Sequence, residues 1–237
     1  MAQYLKDTTP SDQFSYIDGK NWHFMLPKDL TDIFKEYNED YIDLYIVKAH
    51  RSEDDLIIDL IVELRDIADN DPISQKWTII ASGHRKDRIS FDAESLIEIK
   101  NDHPLLWKFT DTQCQLYFAG QCQNIEKLFY DLYLTHNDTF GEHQCNFDVS
   151  LFKASNHFKP FQYSNGLLAQ GSKKLMEKYG ACLKKNGLDF TFFGERPAGH
   201  WYYQQFIPEK DLKVLLMGDS YVIAEDFSFV KQPESNQ

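Results

Sequence analysis

The sequence predicts an α+β fold in which helices are inserted between runs of antiparallel strands. Short segments with alternating apolar and polar residues recur between about residues 41 and 120, a pattern typical of a β-meander. Two amphipathic segments predict the main helices, at about 124–136 and 172–186, and two apolar runs near the end predict a C-terminal β-hairpin. Aromatic residues make up 15% of the chain, which favours sheet-rich packing over a helical bundle.

The segment DDLIIDLIVELRDI, which begins at Asp54, fits two kinds of secondary structure. The positions that alternate as a half-buried strand requires are Leu56, Ile58, Leu60, Val62 and Leu64. Part of the same pattern also fits one face of a helix. Four β-branched residues favour the strand, because branching at Cβ restricts the side chain in a helix. We therefore predict a strand here.

Capping residues mark the ends of the predicted helices. A short amphipathic helix follows Pro27, a residue that the first turn of a helix tolerates. The first main helix begins after Asn124, a suitable N-cap, and has His136 on its apolar face. The second main helix is capped by Ser172 and ended by Gly187.

The predicted organisation is a single domain. Residues 1–20 are polar and predict an extended lead-in. Residues 21–230 contain the periodic segments of one α+β domain, and residues 231–237 predict a disordered tail.

The charge of the chain is negative and unevenly placed. The net charge is −12, and residues 1–71 hold 17 acidic against 7 basic residues, a net charge of −10 in that segment. Such a field repels nucleic-acid phosphates and attracts a basic partner. The sequence therefore predicts no nucleic-acid binding and favours a basic protein partner. The alternative is that the acidic surface only keeps the protein soluble.

Signals for export or membrane insertion are absent from the sequence. The first residues, MAQYLKDTTPSDQ, have neither a basic start nor an apolar core, and no apolar run approaches the roughly 18 residues of a membrane helix. The four cysteines form no C-x-x-C pair, as expected for thiols in a reducing cytosol. These features predict a cytoplasmic protein that does not bind membranes.

Ser220 lies in a segment that resembles a known nucleophile motif. LLMGDSYVIAEDF, Leu215 to Phe227, resembles the nucleophile block of the GDS-type esterases, in which the serine follows an early strand and the catalytic Asp and His lie far downstream. Only seventeen residues follow Ser220, and none of them is a His. The alternative is a two-residue hairpin turn at Gly218 and Asp219 between two strands.

Other chemically capable residues form no complete pattern. FGERPAGHWYY holds Glu195 and His200, which are capable of acid–base chemistry, but its Pro and Gly predict a connecting loop. HNDTFGEHQC has metal-ligating residue types at a spacing that matches no zinc or iron site, so we predict a core histidine at His136. No phosphate-binding, dinucleotide or calcium motif is present, and the sequence predicts no cofactor and no metal.

The segment DHPLLWKFTDTQCQLYFAG, residues 102–120, mixes polar and apolar residues. Its polar residues have no partners at catalytic spacing. The apolar residues are Leu105, Leu106, Trp107, Phe109, Leu116 and Phe118. We interpret the segment as a strand-to-helix seam of the core without chemistry of its own.

Three segments of the chain, taken in order, resemble a group of uncharacterised bacterial proteins over roughly residues 75–229. The segments are HPLLWKF…LYFAG…LFYDLYLTH, GLLAQGSKKLMEKYG and LLMGDSYVIAEDF. Such proteins are similar to the immunity proteins that accompany secreted polymorphic toxins, including type VI secretion effectors. The resemblance implies a cytoplasmic protein that binds and occludes a toxin domain without catalysis.

The predicted interface combines acidic residues of the N-terminal part with aromatic anchors that have a polar edge. Its residues are Tyr37, Glu39, Asp40, Tyr41, Asp43, Glu53, Asp54, Asp55, Trp201 and Tyr202. The alternative function is a hydrolase that uses Ser220, or Glu195 with His200.

Overall fold

The computed structural model describes residues 26–37, 39–65, 73–141, 147, 164–203, 205–208 and 211–233. Its helices are α1 (Lys28–Glu36), α2 (Trp107–Thr110), α3 (Ile125–Phe140) and α4 (Lys173–Lys185). Its strands are β1 (Ile42–Ser52), β2 (Asp55–Leu64), β3 (Ile73–Ser82), β4 (Lys86–Arg88), β5 (Ile97–Lys100), β6 (Gln113–Ala119), β7 (Asn165–Ser172), β8 (Asp189–Arg196), β9 (Gly199–Tyr202), β10 (Gln205–Pro208), β11 (Lys213–Met217), β12 (Ser220–Ala224) and β13 (Asp226–Lys231). The predicted α+β class is confirmed.

The strands form three sheets and one separate hairpin, and all of the neighbouring strands are antiparallel. The meander sheet has the order β1-β2-β3-β13, the central sheet β4-β12-β11-β5, and the helix-covered sheet β7-β6-β8. Strands β9 and β10 pair only with each other within the described residues. The predicted lead-in, residues 1–20, lies outside the described residues.

The meander sheet confirms the strand interpretation of residues 55–64. Every second residue of β2 is buried, from Leu56 to Leu64, against a core shared with α1. The meander itself consists of β1, β2 and β3, whereas the later strands before residue 120 join the other sheets. Strands β4 and β5 flank the C-terminal hairpin, β4 beside β12 and β5 beside β11, and β6 pairs with β7 and β8.

The central sheet is buried on both faces. Along β11, Val214 and Leu216 belong to the core under the helices, whereas Leu215 and Met217 belong to the core under the meander sheet. A strand covered on both sides has a continuous apolar run instead of an alternating one, as KVLLM shows. The predicted C-terminal β-hairpin is confirmed: Met217 pairs with Ser220 across a two-residue turn.

The last strands join two of the sheets. The chain leaves the central sheet after Ala224 and enters the meander sheet as β13, while the Glu225 N–H donates to the Ser82 carbonyl at 2.9 Å. Strand β13 runs to Lys231, and the Gln232 N–H donates to the Lys76 carbonyl at 2.8 Å. The ordered chain therefore continues past residue 230, into the segment predicted as a disordered tail.

Helices α3 and α4 cover the third sheet and begin at the predicted caps. The Asn124 side chain accepts from the Lys127 N–H at 2.9 Å, and the Ser172 hydroxyl accepts from the Leu175 N–H at 3.2 Å. His136 is buried, and its Nδ1 lies 2.6 Å from the Tyr179 hydroxyl, so it is a core histidine as predicted. None of the described helices is long and apolar enough to cross a membrane.

Two regions differ from the sequence-based expectation. Residues 165–172, for which we predicted no strand, form β7 directly before α4. The predicted connecting loop around Glu195 is instead the end of β8 followed by the β9–β10 hairpin. Gly199 makes this hairpin possible, because a Cβ atom there would lie 2.4 Å from the Ile207 carbonyl oxygen. Gly199, which contributed to the loop prediction, therefore belongs to a tight hairpin.

Asp131 links α3 to the C-terminal end of α4 and makes the stability pH-dependent. Its carboxylate accepts from the Asn186 side-chain amide at 2.9 Å and from the Lys185 ammonium at 3.2 Å. The hydrogen bond from Asn186, assisted by Lys185, lowers the pKa of Asp131 below its ordinary value. The resulting stabilisation is present above the unfolded pKa of about 4 and is lost as the pH falls through the lower folded pKa.

We therefore expect Asp131→Asn to lower the melting temperature at pH 7, and the difference from the wild type to shrink as the pH falls below about 4. Thermal unfolding between pH 3 and pH 7, followed by circular dichroism, measures this difference. Asp138→Asn, an exposed position on the same helix, is the matched control and should change little. A difference that stays constant with pH would contradict the expectation.

Candidate functional site

The predicted acidic interface residues lie at the two ends of the β1–β2 hairpin. Tyr37 and the single helical turn Glu39–Tyr41 precede β1, and Asp43 lies at its start. Glu53 and Asp54 form the turn at the other end, where β1 pairs with β2. Glu53 lies ten positions after Asp43 along extended chain, which corresponds to a distance of roughly 33 Å. The structure therefore divides these residues between two places.

The residues at the start of β1 have mixed environments. Tyr37 is half-buried and packs against the core under the meander sheet, whereas Asp40 is exposed. Tyr41 is half-buried at the end of its helical turn. Asp43 forms an ion pair with Arg65, whose Nε lies 2.6 Å from the carboxylate. Arg65 therefore compensates the charge of Asp43 at this end of the hairpin.

The residues at the hairpin turn are more accessible. Glu53 and Asp54 are exposed, and Glu53 has a positive φ of 55°. The Asp55 carboxylate accepts from the Gly83 N–H at 3.1 Å and thereby holds the turn against the end of β3. The other predicted anchors, Trp201 and Tyr202, lie in the separate β9–β10 hairpin.

A surface that our sequence interpretation missed lies on the face of the meander sheet opposite its buried core. We call it the outer face. It consists of the side chains that alternate with the buried ones along β1, β2, β3 and β13: Asp43, Tyr45, Lys48, Asp55, Ile57, Asp59, Ile61, Glu63, Lys76, Thr78, Ile80 and Val230. A β-bulge between Ile46 and Lys48 shifts the register of β1 against β2. Lys48 therefore pairs with the outward-facing Asp59.

Apolar side chains form two cross-strand pairs on the outer face, which together we call the apolar strip; the polar residues Lys48, Asp59 and Thr78 lie in a row between the two pairs. Ile57 pairs with Ile80 on the next strand, and Ile61 pairs with Tyr45 on the other side. Val230 is 47% exposed on the neighbouring edge strand. A sheet face that only meets water is usually polar, so this strip is unusual.

Carboxylates alternate with the apolar side chains along β2. The outward positions of β2 read Asp55, Ile57, Asp59, Ile61 and Glu63, an alternation of acidic and apolar residues. The Asp59 carboxylate accepts from the Thr78 hydroxyl at 2.9 Å, which fixes its position on the sheet. Lysines 48 and 76 also lie on this face, so its charge is mixed with an acidic excess. This alternation is the sequence signal that could have revealed the surface.

The residues of the alternative hydrolase have structural partners. Ser220 is fully buried, and its hydroxyl accepts from the Ser90 N–H at 2.9 Å and donates to the Ser90 carbonyl at 3.3 Å. Both Glu195 carboxylate oxygens lie 3.0 Å from the Lys173 ammonium. Ser220 belongs to the central sheet, whereas Glu195 belongs to the helix-covered sheet and His200 to the β9–β10 hairpin. No observation favours hydrolysis over binding.

Metal-ligating side chains are not grouped in the described part of the chain. Within it, no cluster of three His, Cys, Asp or Glu residues could hold a metal ion. Of the metal-capable segment 136–145, His136 is buried in the core and Asp138 is exposed. Glu142, His143 and Cys145 lie outside the described residues.

No known protein family, curated protein or solved structure matches this chain. The resemblance to immunity proteins stays a prediction.

Proposed function

We propose that this protein is a non-enzymatic immunity protein, which binds a basic domain of a cognate bacterial toxin and occludes its active cleft. The observation that supports this proposal best is the outer face of the meander sheet. Its apolar side chains and the carboxylates that alternate with them along β2 supply both an apolar and an acidic component for a protein interface. In this proposal the outer face is the main contact surface, in place of the predicted interface residues, which lie in separate parts of the fold. Asp43 and Asp55 belong both to the outer face and to the predicted interface.

The apolar strip would supply most of the binding free energy. Ile57, Ile61 and Ile80 are half-buried in the free protein, so their exposed portions gain further burial when a partner covers the sheet. Because the strip lies on hydrogen-bonded strands of one sheet, its backbone is in place before binding. A rigid surface loses little conformational entropy on association.

The acidic excess would guide the partner. The chain has a net charge of −12, and most of that charge lies in residues 1–71, which include β1 and β2. Carboxylates such as Asp59 and Glu63 alternate with the apolar side chains on the same strand. A basic domain would therefore approach this face faster than a neutral one, and salt would slow its approach.

The proposal is tested with the protein encoded directly upstream of this chain in its genome. We expect that protein to arrest growth when produced alone, and this chain to restore growth and form a stable complex with it. Ile61→Lys should weaken the complex by about 30-fold or more, since a buried anchor contributes about 2 kcal/mol or more. Glu63→Lys should mainly slow association at low salt. Surface plasmon resonance measures both effects.

A matched control separates the outer face from the overall charge. Asp138→Lys makes the same charge change as Glu63→Lys on helix α3, which covers a different sheet. We expect it to leave the dissociation constant nearly unchanged. Equal effects of Asp138→Lys and Glu63→Lys would argue against the outer face, and the absence of any complex would argue against the immunity function.

A further inference from the structure

A cleft of about 810 Å³ opens beside the helix-covered sheet, away from the outer face. It lies between the segment of residues 104–109 and strands β6, β7 and β8. The lining includes Lys86, Lys108, Arg196, Trp107, Phe109 and Cys114. Its volume is within the range of small-molecule sites, which is roughly 300–1,000 Å³. The segment 102–120, predicted as a core seam, buries Leu105 and Leu106 and also forms a wall of this cleft.

The charged residues that line the cleft are all basic. Lys86, Lys108 and Arg196 contribute to the lining, and no Asp or Glu does so among the described residues. Lys108 and Arg196 form no ion pair with a described residue, and Lys86 lies 5.5 Å from the centre of the Tyr221 ring. In a chain of net charge −12, such a lining is a local arrangement and not the consequence of a basic composition.

Two acidic groups beside the cleft are already engaged. The Glu195 carboxylate binds the Lys173 ammonium at 3.0 Å. The Asp111 carboxylate accepts from the Lys174 N–H at 2.8 Å in the first turn of α4. The neighbouring N–H groups also have acceptors: the Lys173 N–H donates to the Thr112 carbonyl and the Leu175 N–H to the Ser172 hydroxyl. An anion in the cleft would therefore depend on the basic side chains and not on the helix terminus.

The rest of the lining combines apolar residues with uncharged polar ones, the latter being Gln113, Gln115, Gln170 and Ser172. Trp107 and Phe109 contribute aromatic rings, and Leu105 and Leu175 contribute aliphatic surface. The Trp107 Nε1 is buried and has no hydrogen-bond acceptor among the described residues. The Cys114 thiol also lines the cleft, and burial raises its pKa, so it remains protonated near neutral pH.

We propose that this cleft is a binding site for a small organic anion with a flat apolar body, such as an aromatic carboxylate, sulfonate or phosphate ester. The rings of Trp107 and Phe109 contact the flat body, while Lys108 and Arg196 bind the anionic group. This site is separate from the outer face and does not depend on the proposed immunity function.

The probe is 8-anilino-1-naphthalenesulfonate, and N-phenyl-1-naphthylamine is its analogue without the sulfonate. With the folded full chain, we expect saturable one-to-one binding of the sulfonate, seen as increased fluorescence, which weakens as salt is added. The neutral analogue should bind at least tenfold more weakly. The double variant Lys108→Glu/Arg196→Glu should weaken sulfonate binding at least tenfold and leave the neutral analogue unaffected.

The control variant Lys127→Glu/Lys178→Glu makes the same charge change on the exposed surfaces of α3 and α4. It should bind the sulfonate like the wild type. Alkylation of Cys114 by N-ethylmaleimide, followed by mass spectrometry, gives a second measurement: the bound probe should slow reaction at Cys114 but not at Cys122. Non-saturable binding, equal affinity for both probes, equal effects of the two double variants or unprotected Cys114 would overturn the proposal.

Discussion

Replacement of Leu215 or Leu216 by alanine is expected to lower the free energy of unfolding by about 2–5 kcal/mol in each case. Both side chains are buried, at 0% and 6% exposure, but they face opposite directions along β11. Leu215 packs in the core under the meander sheet and Leu216 in the core under the helices. Each substitution therefore leaves a cavity in a different core.

The two variants also test whether the cores unfold together. Since both cores use the same strand, we expect urea unfolding to remain a single transition in each variant, whether followed by far-ultraviolet circular dichroism or by tryptophan fluorescence. Leu134→Ala, at a position 38% exposed on α3, is the control and should cost about 1 kcal/mol or less. Separate transitions in either variant would show that the cores are independent.

Gly180→Ala is expected to destabilise the protein, although the same change normally stabilises the interior of a helix by about 1 kcal/mol. Gly180 is buried on α4, and a Cβ atom there would lie 2.6 Å from Cζ of Phe190. The Phe190 ring cannot move away freely, because it packs 5.3 Å from the Phe192 ring and under the Lys184 ammonium. Overpacking of this kind costs about 1–3 kcal/mol, which exceeds the gain in helix propensity.

A second substitution identifies the cause. Phe190→Leu removes the ring atoms that the new methyl group would meet, so Gly180→Ala should be neutral or stabilising in that background. Chemical denaturation of the two single variants and the double variant completes the cycle. Destabilisation by Gly180→Ala that is unchanged in the Phe190→Leu background would mean that the close approach to this ring is not the cause.

Local features of the fold were predictable from the sequence. The buried alternation of β2, the caps at Asn124 and Ser172 and the Gly218–Asp219 turn each depend on residues within a few positions of one another. The partners of β4 and β5 were not predictable, because each of these short strands pairs with a strand more than a hundred residues later. Local periodicity contains no information about such pairing.

The candidate surfaces were predictable only in part. We assigned the interface from the density of acidic residues, which does not show that an extended strand separates Asp43 from Glu53. The alternation in β2 predicted its buried residues, but we did not predict that the outward Ile57 and Ile61 belong to a surface. The cleft was not predictable, because its lining comes from elements as distant in sequence as Lys86 and Arg196.

The position of the central strands in the chain has a consequence for biosynthesis. A ribosome delivers β4 and β5 long before residues 213–224, which supply both of their hydrogen-bonding partners. The nascent chain can form the β1–β2–β3 hairpins early, but the apolar undersides of that sheet and of the helical layer lack the buried residues of β11 and β12 until the last hairpin emerges. Folding is therefore expected to finish late, in a step dominated by long-range contacts, and the unfinished chain is expected to depend on chaperones that shield exposed apolar surface.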